Sequence, residues 1–200
     1  MIPEYFAVIG AIVASLGGLY YLYDTITGKA KPNRVTWLLW GSFPMIVFVA
    51  QRAQGVDALA WASFVAGLTA FLILGASFMN KKAYWKTETR DYYLMAAAIA
   101  GIILWLVSDS PNLAILFALL ADLFAGLPTI IKAYKHPETE SWIAYVISTL
   151  GFGTGVLAIH DFTFENYAFI GYLFLMNGLL AVLAVRPKLA TPTRAEHDTV

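Results

Sequence analysis

The chain has no cysteine, only three histidines and few charges for its 200 residues. Without cysteine there are no disulfides, thiolate metal sites, iron–sulfur clusters or cysteine nucleophiles, and the compartment's redox state leaves no trace. His136, His160 and His197 lie far apart and outside the long apolar runs. No His-Glu-x-x-His pattern, Gly-x-Ser-x-Gly elbow or P-loop occurs, so neither an enzyme nor a metal or other cofactor is expected. Thirteen Lys+Arg balance thirteen Asp+Glu, which removes the basic surface that a nucleic-acid partner needs. Charged residues are 13% of the chain, against roughly a quarter in soluble domains. A water-soluble fold of this size could not hide the 60% that is hydrophobic.

What the chain has instead is long apolar runs, with a mean hydropathy of +0.68. A membrane helix needs roughly 20 mostly apolar residues to cross about 30 Å of hydrocarbon. Seven stretches qualify: 5–25, 36–51, 58–79, 92–107, 112–134, 142–160 and 164–185. Backbone amides in lipid must be bonded within their own segment, so helices are expected. The alternation of a membrane β-barrel is missing. The fold class expected is therefore an all-α membrane protein with seven transmembrane helices.

Basic residues orient it. With the N-terminus outside and the C-terminus cytoplasmic, twelve of the thirteen Lys and Arg fall inside, and Arg52 alone falls outside. The first basic residue is Lys29, so no positive n-region precedes the first apolar run and a cleavable signal peptide is not expected. The last span, 164–185, holds no lysine, which excludes a retinal Schiff base. The lack of Asn-x-Ser/Thr sequons and the short loops point to a prokaryotic cytoplasmic membrane. Trp37, Trp85 and Trp142 are expected at the inner membrane interface, Trp61 and Trp105 at the outer one.

The first cytoplasmic loop and the third are alike at an offset of 105 residues. Aligning Pro32 with Pro137 also aligns Thr36 with Ser141 and Trp37 with Trp142. Each proline fixes a turn, and Thr36 and Ser141 are expected to cap the helices that follow. The loops and flanking spans divide the chain into a first three-helix repeat (1–80), a linker helix (81–110), a second three-helix repeat (111–185) and a disordered cytoplasmic tail (186–200). The repeats run parallel, so the fourth helix supplies the extra crossing, giving two parallel three-helix bundles joined by a linker helix. That plan belongs to transporters with substrate held between the halves near the midplane.

The segment Gly126-Leu-Pro128-Thr-Ile-Ile-Lys132-Ala-Tyr134-Lys135-His-Pro137-Glu-Thr-Glu-Ser141-Trp142 resembles the PQ-loop signature, and the chain without its tail is similar in plan to the SWEET and PQ-loop superfamily. The resemblance implies seven helices in a 3+1+3 arrangement, alternating access, and transport of sugars, amino acids or related solutes. Thr129 stands at the family's Gln. Of the four membrane prolines of the sugar carriers, Pro44 and Pro128 are matched, while Tyr23 and Thr149 hold the other two places. The resemblance also implies that Asn177 contacts substrate.

Asp122 is the only acid near the middle of a span, and no basic residue lies at its depth. A carboxylate there costs about 2.5–3.5 kcal/mol on insertion scales, so it should face the bundle interior or water. It is a candidate proton- or substrate-binding group, with an interhelical hydrogen bond as the plain alternative. Asn177 offers two donors and an acceptor for a hydroxyl or amide ligand. Of the hydroxyls near mid-depth (Ser15, Ser42, Thr69, Ser148 and Thr149), Ser42 and Thr149 join the candidate substrate site. Pro44 and Pro128 are candidate hinges, with static kinks as the alternative. Asp24 is expected to be a solvated interface charge, with an inner gate as the alternative, while Pro32, Trp37, Pro137 and Trp142 form the interface motif. His160 and Asp161 mark the outer end of the sixth span. Gly151, Gly153 and Gly155 should allow close helix packing.

The function expected is a transporter of a small polar solute by alternating access, with proton linkage open. The alternative is a non-transporting membrane scaffold, receptor or assembly factor. Its partners would be the solute and the lipid bilayer, with a homo-oligomer also open.

Overall fold

A computed structural model describes residues 2–3, 5–53, 58–83, 85–108, 111–160 and 163–190. Among them are seven α-helices and no strand: α1 (Tyr5–Thr27), α2 (Arg34–Ala53), α3 (Ala58–Met79), α4 (Thr89–Leu106), α5 (Pro111–Lys135), α6 (Trp142–Leu157) and α7 (Phe164–Ala190). Three contain stretches long and apolar enough to cross a membrane: Tyr5–Thr27, Ile115–Lys135 and Tyr167–Pro187. Large apolar side chains such as Ile12, Leu16 and Ile26 on α1 or Leu175 and Val182 on α7 lie on the outside, while Ala121, Ala125, Ala144, Thr25, Thr129 and Ser77 are buried. Small residues inside and bulky apolar ones outside are the pattern of helices packing in lipid.

The packing has a regular order. α3 packs against both α1 and α2, whose backbones do not come close to each other among the described residues, and α7 packs against both α5 and α6, whose backbones likewise stay apart. Across the middle, α1 packs on α6 and α2 on α5, and α4 lies against α5 and α2.

The α1/α6 crossing is tight because it runs through glycine. A Cβ at Gly10 would lie 2.5 Å from the Gly151 carbonyl oxygen, and one at Gly17 would strike Ser148 and sit 2.7 Å from the Ala144 oxygen. Under the 105-residue offset, Gly17 corresponds to Asp122, Gly10 to Ile115 and Ser148 to Phe43. Bulkier residues therefore hold the equivalent places on α5 and α2.

The connections near residues 28–33, 80–88 and 136–141 gather at one end with most of the described basic residues. α1 ends in a Schellman turn: Gly28 has φ +78°, its amide bonds Thr25 O at 3.0 Å and the Lys29 amide bonds Asp24 O at 2.8 Å. The two alike loops then meet, the Lys31 amide donating to Thr139 O at 2.9 Å. Asn80 Nδ2 donates to Ile26 O at 2.7 Å, and Arg186 donates to Tyr134 O at 2.7 Å. At the opposite end, the Ile2 amide bonds Leu157 O at 3.3 Å.

Several local expectations are corrected. α2 starts at Arg34, two residues before Thr36, and its cap is Asn33, whose Oδ1 accepts from the Val35 and Thr36 amides at 3.0 and 3.3 Å. The Thr36 hydroxyl is buried without a partner. Ser141 precedes α6, but its hydroxyl makes no cap bond. Pro44 and Pro128 lie inside α2 and α5, as the apolar runs through them lead one to expect. Residues 186–190 continue α7, past Pro187, rather than belonging to a tail. The remainder of the tail and Asp161 lie outside the described residues, as do the side chains of Trp61 and Trp105.

Candidate functional site

A cavity of about 420 Å³ is lined from all seven helices. Its floor, towards the basic end, is a chain of rings from three helices. Tyr145 (α6) meets Tyr21 (α1) edge-on at 5.7 Å, Tyr21 meets Trp37 (α2) at 4.6 Å, and Trp37 meets Trp40 edge-on at 5.4 Å. Trp37 is thus a buried floor residue, 8% exposed, and not a member of an interfacial belt. It starts one turn into α2, which turns its ring inward between α1 and Trp40.

Below the floor lies a buried ion pair. Lys132 Nζ is 2.6 Å from Glu140 Oε1, with side-chain exposures of 1% and 0%. Glu140 Oε2 accepts from both Tyr21 and Tyr145 hydroxyls at 2.8 Å. Lys132 also donates to the Lys31 carbonyl. Asp24 lies beside this network, 7% exposed, accepting from Ser141 Oγ at 2.5 Å. It is a buried side chain joining α1 to the start of α6, not a solvated interface charge. A second hollow, about 610 Å³, adjoins it and is bordered by Asp24, Glu140, Ser141, Pro137 and Trp142. Tyr21 over Glu140 is the wall between the two spaces.

Above the floor, Asp122 and Asn177 both line the cavity. Asp122 projects from α5, and its Oδ2 accepts from the Tyr172 hydroxyl of α7 at 2.6 Å. The Trp40 indole lies beside the same carboxyl without completing a hydrogen bond. Oδ1 has no hydrogen-bond partner among the described residues, and Asp122 lines the cavity. Asn177 uses one amide hydrogen on Leu173 O of its own helix at 2.9 Å, leaving its oxygen and second hydrogen. Pro44 also lines the cavity; Pro128 is buried away from it.

Ser42 and Thr149 are not brought to this cavity. Each donates to a carbonyl one turn back, Leu38 O at 2.8 Å and Tyr145 O at 2.7 Å, the common fate of a hydroxyl in an apolar helix. Pro32 and Pro137 are buried at the basic end. His160 meets Ile2 O at 3.2 Å at the other. Tyr21, Lys132, Glu140, Tyr145 and Tyr172 are not among the candidate site residues that the sequence suggests. The available signal was an acid and a lysine flanking one loop beside tyrosines at two helix ends.

Fold and site together define an all-helical protein with membrane-length apolar helices around a small, mostly apolar cavity that holds one acid and one amide. No protein-family model matches the chain, and neither a curated protein nor a solved structure does.

Proposed function

We propose that the chain is a seven-span transporter of the 3+1+3 plan, similar to the SWEET and PQ-loop superfamily, that moves a small polar solute by alternating access. The observation that carries this reading is that Asp122 and Asn177, from different helices, line one cavity. Asp122 also accepts from Tyr172 across α5 and α7, the contact that a scaffold would make, but a scaffold gives no reason for a shared cavity beside it. Three further features support it. The helix order first–third–second recurs in 5–79 and 111–190, and the crossings α1/α6 and α2/α5 are exchanged by the 105-residue offset. Basic residues collect at one end, the expected cytoplasmic side. The cavity is bounded at that end by the Tyr21–Glu140 wall.

In the proposed cycle the solute enters above the ring floor and meets Asp122 and Asn177. The Glu140 network then opens towards the second hollow as the halves rock. Asp122 is the group that would carry a proton if transport is proton-linked.

The test is uptake by proteoliposomes of labelled sugars, amino acids, amines and vitamins at two pH values. Uptake of one class, reduced at least about tenfold by Asn177→Ala or Asp122→Asn, is the expected result. No uptake of any class by folded, correctly inserted protein overturns the transport reading and leaves the scaffold.

A further inference from the structure

We propose that the cavity takes a small organic cation, its ammonium group seated on Asp122 Oδ1 among the aromatic rings of the floor. This rests on the reading of the cavity as a solute site and names the solute's chemistry.

The polar inventory of the cavity decides the class. Among its described lining residues there is no Lys, Arg or His, and Asp122 is the only carboxyl. An anionic solute would therefore meet a like charge and no counterion. A sugar fares little better, because each of its hydroxyls loses water and needs a partner. The lining hydroxyls of Ser15 and Thr69 already donate to Ala11 O and Val65 O at 2.8 and 2.7 Å, and those of Tyr21 and Tyr145 both donate to Glu140. The Ser148 hydroxyl donates to Ala14 O at 3.4 Å. The indole N–H groups of Trp37 and Trp40 have no partner but are buried, so the free polar atoms within a solute's reach are few: one oxygen of Asp122 and part of the Asn177 amide.

An ammonium needs much less. It wants one opposite charge and ring faces within about 6 Å. Asp122 is held from behind by Tyr172 and flanked by Trp40, so its orientation is set before any ligand arrives. Trp37, Trp40, Tyr21 and Tyr145 form continuous aromatic walling below it. Ala14, Ala118 and Ala121 are small residues of the cavity lining, where larger side chains would reduce its volume. Asn177 adds one donor and one acceptor for a hydroxyl or carbonyl at the solute's other end.

A matched pair of probes separates charge from shape: choline and 3,3-dimethylbutan-1-ol, in which carbon replaces the nitrogen. The full chain in lipid nanodiscs is titrated with each, and with glucose, while its melting temperature is followed. Choline is expected to raise the melting temperature and the neutral isostere not to. Asp122→Asn should raise the choline concentration for half-effect by about tenfold or more. Equal effects of the two probes overturn the proposal, as does a choline effect that survives in a folded Asp122→Asn protein. Stabilisation by glucose with none by choline also overturns it, yet leaves transport standing. Silence from all three overturns it too, and the uptake assay then judges transport separately. The wild-type comparison decides the matter even if the variant fails to fold.

Discussion

Glu140 holds three partners at once, Lys132, Tyr21 and Tyr145, and it is fully buried. A buried pair adds little net stability over apolar residues of similar size, but removing one partner strands a charge and costs about 3–5 kcal/mol. Glu140→Ala is therefore expected to destabilise by that order. Glu140→Leu combined with Lys132→Met should recover most of the loss, as read by denaturant unfolding of the purified protein. Equal losses in the single and double variants would mean that the ion pair is not what the site depends on. Asn33 offers a second residue-level test. It caps α2 and its Nδ2 donates to buried Asp91 Oδ2 at 2.9 Å, tying α2 to α4. Asn33→Ala should cost about 1–3 kcal/mol, whereas Thr36→Val, which removes a partnerless buried hydroxyl, should be neutral or stabilising. Sequence pattern favours Thr36 because threonine is a good cap next to an apolar run. The actual start of α2 two residues earlier hands the role to Asn33, and chain-local chemistry alone does not choose between them.

At the scale of elements, the seven helices fall within a few residues of the apolar runs, since run length and hydropathy are properties of the local chain. What each polar side chain does is not local. Asp122 and Asn177 reach a shared cavity, while Ser42 and Thr149 at comparable depth turn back to their own helices. Hydropathy cannot distinguish these outcomes, because they depend on which face of the helix meets a neighbour. Asp24 and Trp37 differ from expectation for the same reason: both stand near helix ends, where water or headgroups are the default surroundings, yet a neighbouring helix buries them. The Tyr21–Glu140 contact joins residues 119 apart, beyond the reach of any spacing rule. The glycines give the sharpest contrast between elements. Gly17→Val should wedge α1 from α6 and cost about 1–3 kcal/mol. Gly75→Ala, whose added methyl meets nothing within 4 Å, should be tolerated. Similar losses of melting temperature in both variants would show that the α1/α6 crossing is not as close as described.

At the scale of the molecule, the lack of cysteine makes the chain a ready background for labelling. Single cysteines at Lys82 and His136 are expected to react with a membrane-impermeant maleimide only from the cytoplasmic side, and one at Pro3 only from outside. Labelling of Pro3→Cys and Lys82→Cys from the same side would sink the proposed topology. The proposed repeat is legible because its two loops keep the same or similar residues at one spacing. The difference between the copies was not, since it lies in which helix pair was given glycine and which was given bulk. That difference has a mechanical consequence for the proposed cycle. A body joined tightly along one seam opens like a book, not like a seesaw, and the edge opposite the spine travels furthest. With α1 and α6 as the spine, the α2/α5 edge, where Asp122 and Phe43 stand, sweeps the widest arc. Substitutions along the spine would then set whether the book opens at all, and those at the free edge how far.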